Sequence, residues 1–309
     1  MTIMRTCRLF CLCTLILFVV HSAPAQPLTL RLSQTLQLSL PQDQPKSKFV
    51  RLSVSQQGEV YVLDQGLNRI LLFDATGALQ REVGGFGWET EQFDQPMDIW
   101  AENSLDVFVA DYNNNRIQRF DRKLNFVGVY ENDDGLDQRL QFGLPVAVTF
   151  SRFGELFVID GENQRILRFN ANGEPEQSFG DWDWGDGRLE EPVAICLNDR
   201  DDVLVADTGL RGIMRFDYYG NFLQPIRHDS LTSPVQVVSL RNLTIALDGA
   251  RSRLFIFNAD GRYRVDLAPV PTETDRTSAG PFSLAVSRNL LYILDGRNRN
   301  VYCYQLQTP

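Results

Sequence analysis

The sequence predicts an all-β fold, a six-bladed β-propeller of four-stranded antiparallel blades, on three observations. The first is repetition: the stretch GEVYVLDQGLNRILLFD, from Gly58 to Asp74, returns five more times, starting at Leu105, Gly154, Asp201, Asn242 and Asn289. The second is period. The acidic residue within each copy, Asp64, Asp111, Asp160, Asp207, Asp248 and Asp295, recurs at spacings of 47, 49, 47, 41 and 47, the range of blade-type units and longer than helical or leucine-rich ones. The third is pattern: the segments VYVL, VFVA, LFVI, VLVA, TIAL and LYIL ahead of each Asp are apolar at nearly every position. A sheet with one wet face would alternate. Both faces must therefore be covered, and sheets packed face to face around an axis achieve that.

The elements follow in chain order. Met1 to Ala25 carries Arg5 and Arg8, an apolar run from Leu9 to Val20, and the small-residue site Ala23-Pro24-Ala25. That is the layout of a secretory signal peptide, with a core shorter than the roughly 20 residues a membrane span needs. It predicts a leader over 1–25, a propeller domain over 26–309, and an exported protein, periplasmic or extracellular, with no membrane insertion once the leader is gone. Leu28 to Leu40 (LTLRLSQTLQLSL) is strand-like but precedes the first inner strand at Phe49 to Val54. The last copy, in turn, runs out after its third strand at Asn300 to Gln305. The N-terminal stretch is therefore expected to supply the outer strand of the last blade, closing the ring and hiding an edge, with Pro41 to Lys48 as the crossover. Blade 2 shows the unit: Met97 to Ala101, Val107 to Ala110, Arg116 to Phe120 and Phe126 to Tyr130. Helix is disfavoured, because β-branched and aromatic residues dominate and Gly or Asn punctuates every ten residues or so.

Composition narrows the function classes. The formal charge is −9, and it becomes two units more negative once Arg5 and Arg8 leave. Such a surface repels phosphate backbones and argues against general nucleic-acid binding. Of five cysteines, Cys7, Cys11 and Cys13 fall in the leader. Cys196 and Cys303 lie two repeats apart, too far for a disulfide, and read as buried thiols.

Each repeat Asp ends a strand, where it accepts turn N–H bonds. An Arg five residues on, as in Arg69, Arg116, Arg165 and Arg253, is expected to return beside it as a charged pair. This reading makes the Asp and Arg architectural. The residues Asp64, Asn68, Arg69 and Ile70, then Asp111, Asn115, Arg116 and Ile117, then Asp160, Asn163, Arg165 and Ile166 resemble the NHL repeat. Gly84, Gly85, Gly87, Phe93 and Pro96 match that family's blade junction. The last three blades depart from it, with Arg211 and Arg299 one position early. The resemblance spans essentially the whole of 26–309. It implies a six-bladed propeller whose usual role is docking protein, RNA or glycan partners. The zinc RING that accompanies ubiquitin-transfer members is absent, and the basic face of RNA-binding members has no counterpart.

The axial channel is the natural place for chemistry. Two residues beyond each junction Pro, or its equivalent, the inner strands carry Arg51, Asp98, Ala147, Ala194, Gln236 and Ser283. Propeller hydrolases of the gluconolactonase and paraoxonase type hold calcium on several convergent oxygens at this level. Here one carboxylate, Asp98, faces an Arg from the adjacent blade. Peptide-amidating lyases of similar architecture need three zinc-binding histidines. Only His21 and His228 exist, and His21 is in the leader. Neither a metal nor a catalytic Ser, His and acid set is predicted.

The blade-to-blade loops carry the remaining signal. They hold Phe86, Trp88, Glu89, Glu91 and Phe93, then Glu131, Asp133, Asp134 and Asp137, then Asp181-Trp182-Asp183-Trp184-Gly185-Asp186. Aromatic anchors amid polar groups mark recognition surfaces, with Trp88, Phe93, Asp133, Asp134, Asp181, Trp182, Asp183 and Trp184 as candidates. A wedge between blades is the competing role for each Trp. Calcium on Asp181, Asp183 and Asp186 is disfavoured, since Trp184 and Gly185 break the alternation of oxygen ligands, and no cofactor is predicted. The expected function is a non-enzymatic exported scaffold docking a protein or peptide. A calcium-dependent lactonase-like hydrolase, and glycan binding through Trp182 and Trp184, are the alternatives.

Overall fold

Six antiparallel sheets, one per repeat, stand around a common axis in a computed structural model that describes residues 28–40, 44–133, 135–268 and 282–307. The predicted leader and part of the crossover lie outside these residues. Each blade begins at the axis. The inner strands are Phe49–Val54, Pro96–Trp100, Pro145–Phe150, Pro192–Leu197, Pro234–Leu240 and Phe282–Ser287, and each pairs next with a strand ending in a repeat Asp.

The two-sided apolar strands have a simple cause. Alternate residues of one strand enter different blade interfaces. In blade 1, Val60 and Val62 pack with Leu294 and Val301 of blade 6, whereas Tyr61 and Leu63 pack with Ile99, Val107 and Val109 of blade 2. Six apolar clusters result, one per interface. Burying a Val, Leu or Ile side chain contributes roughly 1.5 to 3 kcal/mol, so a polar residue at any of these positions would be strongly destabilising.

The ring closes as the sequence predicts. Thr29–Gln37 pairs antiparallel with Asn300–Gln307, from Thr29 opposite Gln307 to Gln37 opposite Asn300. A register shift between Leu32 and Gln34 leaves Ser33 as the extra residue, and its hydroxyl donates to the Cys303 carbonyl at 2.8 Å. The chain then steps to blade 1: the Leu38 amide donates to the Arg299 carbonyl at 2.9 Å and that of Ser39 to the Gly77 carbonyl at 3.2 Å.

Blade 4 departs from the four-stranded expectation. Its regular sheet has three strands, and the outer segment is reduced to isolated bridges, Phe216 with Phe222 and Ile213 with Ile226. The bridged residues are three positions apart on one strand and four on the other, and Pro225 has no N–H to donate. The free thiols sit apart, Cys303 buried in blade 6 and Cys196 part-buried on the blade 4 inner strand.

The strand order gives the disc two faces. Blade-to-blade loops and Asp-led turns open on one, the junction face. The hairpins that follow the inner and third strands open on the other, the hairpin face.

Candidate functional site

Each repeat Asp is a staple between its own turn and the loop that enters the blade. Asp111 accepts from the Asp94 amide at 2.9 Å, 17 residues earlier, and from Asn114 Nδ2 at 2.9 Å. Asp64, Asp160, Asp207 and Asp248 likewise take amides of Lys48, Gly143, Glu190 and Thr232. Asp295 binds its own turn through Asn298. All six carboxylates are buried, and a buried carboxylate needs such donors.

The expected Asp–Arg pairs form in blades 1 to 3, Asp64 with Arg69 at 3.0 Å, Asp111 with Arg116 at 2.8 Å and Asp160 with Arg165 at 2.9 Å. Arg253 breaks the expectation. It turns outward to Asp266, because the amides of Thr232, Ser233 and Arg251 already occupy Asp248.

The junction loop between blades 1 and 2 is the best-defined part of the junction face. Arg116 reaches beneath it and donates to the carbonyls of Trp88, Glu89 and Gln92 at 2.8, 2.9 and 3.0 Å. Gln118 donates to the Gln92 carbonyl at 2.7 Å and accepts from the Glu91 amide at 3.0 Å. Asn114 holds the Gly87 carbonyl at 2.9 Å. Gly84 and Gly85 start the loop at φ of +134° and +123°, backbone geometry that glycine adopts without a Cβ penalty. A Cβ on Gly84 would sit 2.5 Å from the Arg69 Cα.

From this braced loop Phe86 and Trp88 project into solvent, 68% and 72% exposed. Phe93, offered by the sequence as a contact residue, is fully buried and packs against Phe120 with ring centroids 6.1 Å apart. It anchors the loop from below instead, because its amide and carbonyl pair with Gly85 and Gly87 and draw the ring inward.

The blade 3 to 4 loop divides its two tryptophans. Trp182 is 76% exposed. Trp184 is the wedge: its Nε1 donates to the Gly220 carbonyl at 3.2 Å and its ring joins the blade 3 to 4 core. Asp181 caps its own loop by accepting from the Asp183 amide at 3.0 Å, and Asp183 is exposed. Asp133 is exposed and accepts from the Gly135 amide at 3.0 Å, while Asp134 lies outside the described residues. Asp137 starts the short helical turn Gln138–Leu140. The side chain and amide of Arg139 pull its carboxyl down to about 2.

Most of the predicted channel ring turns out to be stitching. Asp98 lies 3.5 Å from Arg51 of blade 1, and its other oxygen accepts from the Val148 amide of blade 3 at 3.0 Å. Gln236 exchanges bonds of 2.7 and 2.8 Å with Leu284 of blade 6. Ser283 accepts from the Leu52 amide at 3.0 Å. Inner strands of neighbouring blades share no ladder, so these side chains supply cross-links that the backbone cannot.

Glu102 was missed, although it was within reach of the sequence. It lies four residues beyond Asp98, so period 2 puts both near the axis. Both line the narrow neck of the tunnel, with Cys196 across from them. Burial lifts the Asp98 carboxyl to about 6. Burial and then the Asp98 charge lift Glu102 to about 7, and burial pushes the Cys196 thiol up. Surrounding protein excludes bulk water from Glu102, yet the tunnel leaves it part-exposed. No described hydrogen-bond or ion-pair partner satisfies its carboxyl.

No family model matches the chain. Its sequence is 27% identical over 143 residues to Protein brain tumor of Drosophila melanogaster and 25% identical over 145 residues to the B-box type zinc finger protein ncl-1 of Caenorhabditis elegans, 46% of the chain in each case. The matched stretch is only 13% and 16% of those proteins' own length. The chain is a six-bladed β-propeller whose repeats are distantly similar to NHL repeats. Among solved structures the propeller superposes on a streptogramin B lyase with a TM-score of 0.63 at 17% identity, covering 89% of this chain and 88% of that one. A catalytically inactive virginiamycin B lyase variant from Staphylococcus aureus with quinupristin gives 0.60 at 16% identity, covering 87% and 83%. A nidogen/laminin complex gives 0.57 at 14% identity, covering 73% and 81%. At these identities the likeness is one of fold.

Proposed function

We propose that this NHL propeller is an exported, non-enzymatic scaffold that docks a protein or peptide on its junction face, with Phe86 and Trp88 as the anchor. The observation that carries this reading is an exposed aromatic pair on a clamped loop. Ordering entropy opposes association, and here the clamps of Arg116, Gln118 and Asn114 have ordered the loop before any partner arrives. Aromatic residues held this way are where binding energy concentrates. Glu89, Asp133 and Asp183 are exposed carboxylates on three successive junction loops, which favours a partner with a basic rim. NHL domains bind proteins or RNA, and the net charge of −9 favours the protein. Export rests on the leader-like pattern of Met1 to Ala25.

An enzymatic reading finds less support. The Asp98 carboxylate is engaged by Arg51 and the Val148 amide. His228, the one histidine among the described residues, stacks on Tyr263 with centroids 4.1 Å apart and lines none of the tunnel, so lyase chemistry is not carried over from the structural relatives.

The test is capture of partners from the native exported fraction, followed by calorimetric titration of the captured protein. Phe86→Ala and Trp88→Ala should each weaken binding by about 2 kcal/mol or more. Both should leave the unfolding midpoint within experimental error, since neither side chain is buried. Unchanged affinity in both variants would remove the anchor.

A further inference from the structure

On the hairpin face, away from the docking loops, the tunnel opens into a cavity of about 400 Å³, within the size range of small-molecule sites. Two of its wall elements are the same device used twice. Arg241-Asn242 in blade 5 and Arg288-Asn289 in blade 6 are two-residue hairpin loops, closing the pairs Leu240 with Leu243 and Ser287 with Leu290. All four residues have positive φ, 51° and 59° in one loop and 49° and 64° in the other. Asn and Gly are the usual occupants of such loops. A long side chain there is backbone strain of the kind that accompanies functional sites, and the same residue carries it in two adjacent blades.

Both loops are fixed from a neighbouring blade. The Asn242 amide donates to Asp199 at 2.8 Å, and Arg288 Nε donates to the Gln56 carbonyl. Arg241 makes only a long 3.5 Å bond to the Leu306 carbonyl. No described carboxylate pairs with either guanidinium, although the chain as a whole is acidic. The cavity floor carries the opposite chemistry in the unpartnered Glu102 carboxyl. Asn103 and Asn198 shape the wall between floor and rim, their side chains already engaged with Asp106 and Asp202 and with the amides of their own turns. Ser239 adds a buried hydroxyl oxygen that has no partner.

We infer that this cavity binds a small hydroxylated carboxylate of sugar-acid size, its carboxylate held by Arg241 and Arg288 and a hydroxyl donating to Glu102. Guanidinium groups match carboxylates in geometry and charge. The unpartnered Ser239 hydroxyl, which can donate and accept, suits a second hydroxyl of such a ligand. This site stands independently of the docking loop.

The test is calorimetric titration of the whole chain with D-glucuronate, D-glucose and inorganic phosphate. Glucuronate should bind saturably, and glucose, which lacks the carboxylate, at least about tenfold more weakly. Phosphate, which cannot span rim and floor, should also be weaker. The double variant R241G/R288G puts glycine where positive φ is easiest, so its unfolding midpoint should equal or exceed that of the wild type. Its glucuronate affinity should fall by about tenfold per arginine. Glu102→Leu should weaken glucuronate while sparing phosphate, and Trp88→Ala should leave both unchanged. Absence of saturable glucuronate binding, or wild-type affinity in the double glycine variant, would overturn the site. Equal affinity for phosphate and glucuronate would overturn the role of Glu102.

Discussion

Blades 1 to 3 and blades 4 to 6 use the same buried Asp, yet only the first three add the Arg. In blades 1, 2 and 3 the guanidinium pairs with its Asp and also reaches the preceding junction segment, at Gln44, at Trp88, Glu89 and Gln92, and at Gln141. Blade 4 has Gly212 at that position, blade 5 turns Arg253 outward, and blade 6 has Asn300. The junctions into blades 4 and 5 are still stapled, because the amides of Glu190, Glu191, Thr232 and Ser233 reach the Asp directly. The Asp therefore holds the blade, and the Arg holds the loop. The loop with the most Arg bonds is the one that presents Phe86 and Trp88.

The largest effect expected from this contrast is at the staples themselves. Asp111→Ala should cost about 3 to 5 kcal/mol in urea unfolding, since it strands the Arg116 charge as well as the Asp94 amide. Asp207→Ala should cost less, about 1 to 3 kcal/mol, because only amides lose a partner. Equal losses would mean that the Arg contributes nothing to the difference.

The loop clamp comes next. Arg116→Ala should destabilise by about 2 kcal/mol and weaken partner binding by loosening the loop that Arg116 holds from beneath. Arg253→Ala should stay within about 0.5 kcal/mol, because its pair with Asp266 is partly exposed and screened by solvent. If both variants bind partner like the wild type, the bracing of the loop has no bearing on recognition.

The tunnel gives a pH test of similar or smaller size. Burial raises Asp98 and Glu102 above their unfolded values, so the folded chain binds more protons than the unfolded chain from about pH 4 to pH 7. Stability from these two groups is therefore present below that window and lost as pH rises through it. Glu102→Gln should be more stable than the wild type at pH 8 by roughly 1 to 2 kcal/mol and equal to it at pH 4. A pH-independent offset would place Glu102 in open solvent.

The smallest effect concerns the turn between the two anchors. A Cβ on Gly87 would lie 2.0 Å from Gln92 Oε1, a flexible side chain. Gly87→Ala should cost about 1 kcal/mol and lower partner affinity more than it lowers stability. Affinity unchanged beside a measurable stability loss would detach the turn's geometry from docking.

Much of the architecture was legible because it repeats. Six copies of a two-sided apolar strand leave few ways to bury both faces, and the unpaired Leu28 to Leu40 had one blade lacking a strand to join. The site was less legible. Phe93 and Trp88 look alike in sequence, both aromatic and both in a Gly-rich loop, but the bonds of Phe93 to Gly85 and Gly87 turn it inward while Trp88 is left outside. Trp182 and Trp184 divide in the same way, two residues apart. Arg253 has the spacing of Arg69 and pairs elsewhere, since the Thr232 and Ser233 amides had already satisfied Asp248.

The amino-acid order alone determined the blade count, the ring closure and the stapling Asp, because periodicity and burial act locally and recur in every copy. Only the tertiary structure decided which aromatic rings meet solvent, that Asp98 is stitched to the Val148 amide while Glu102 is left open, and that Arg241 and Arg288 share one cavity. The tunnel and cavity depend on contacts between segments dozens of residues apart, which no local pattern encodes, and the rings are sorted by backbone bonds that the loop's composition does not specify.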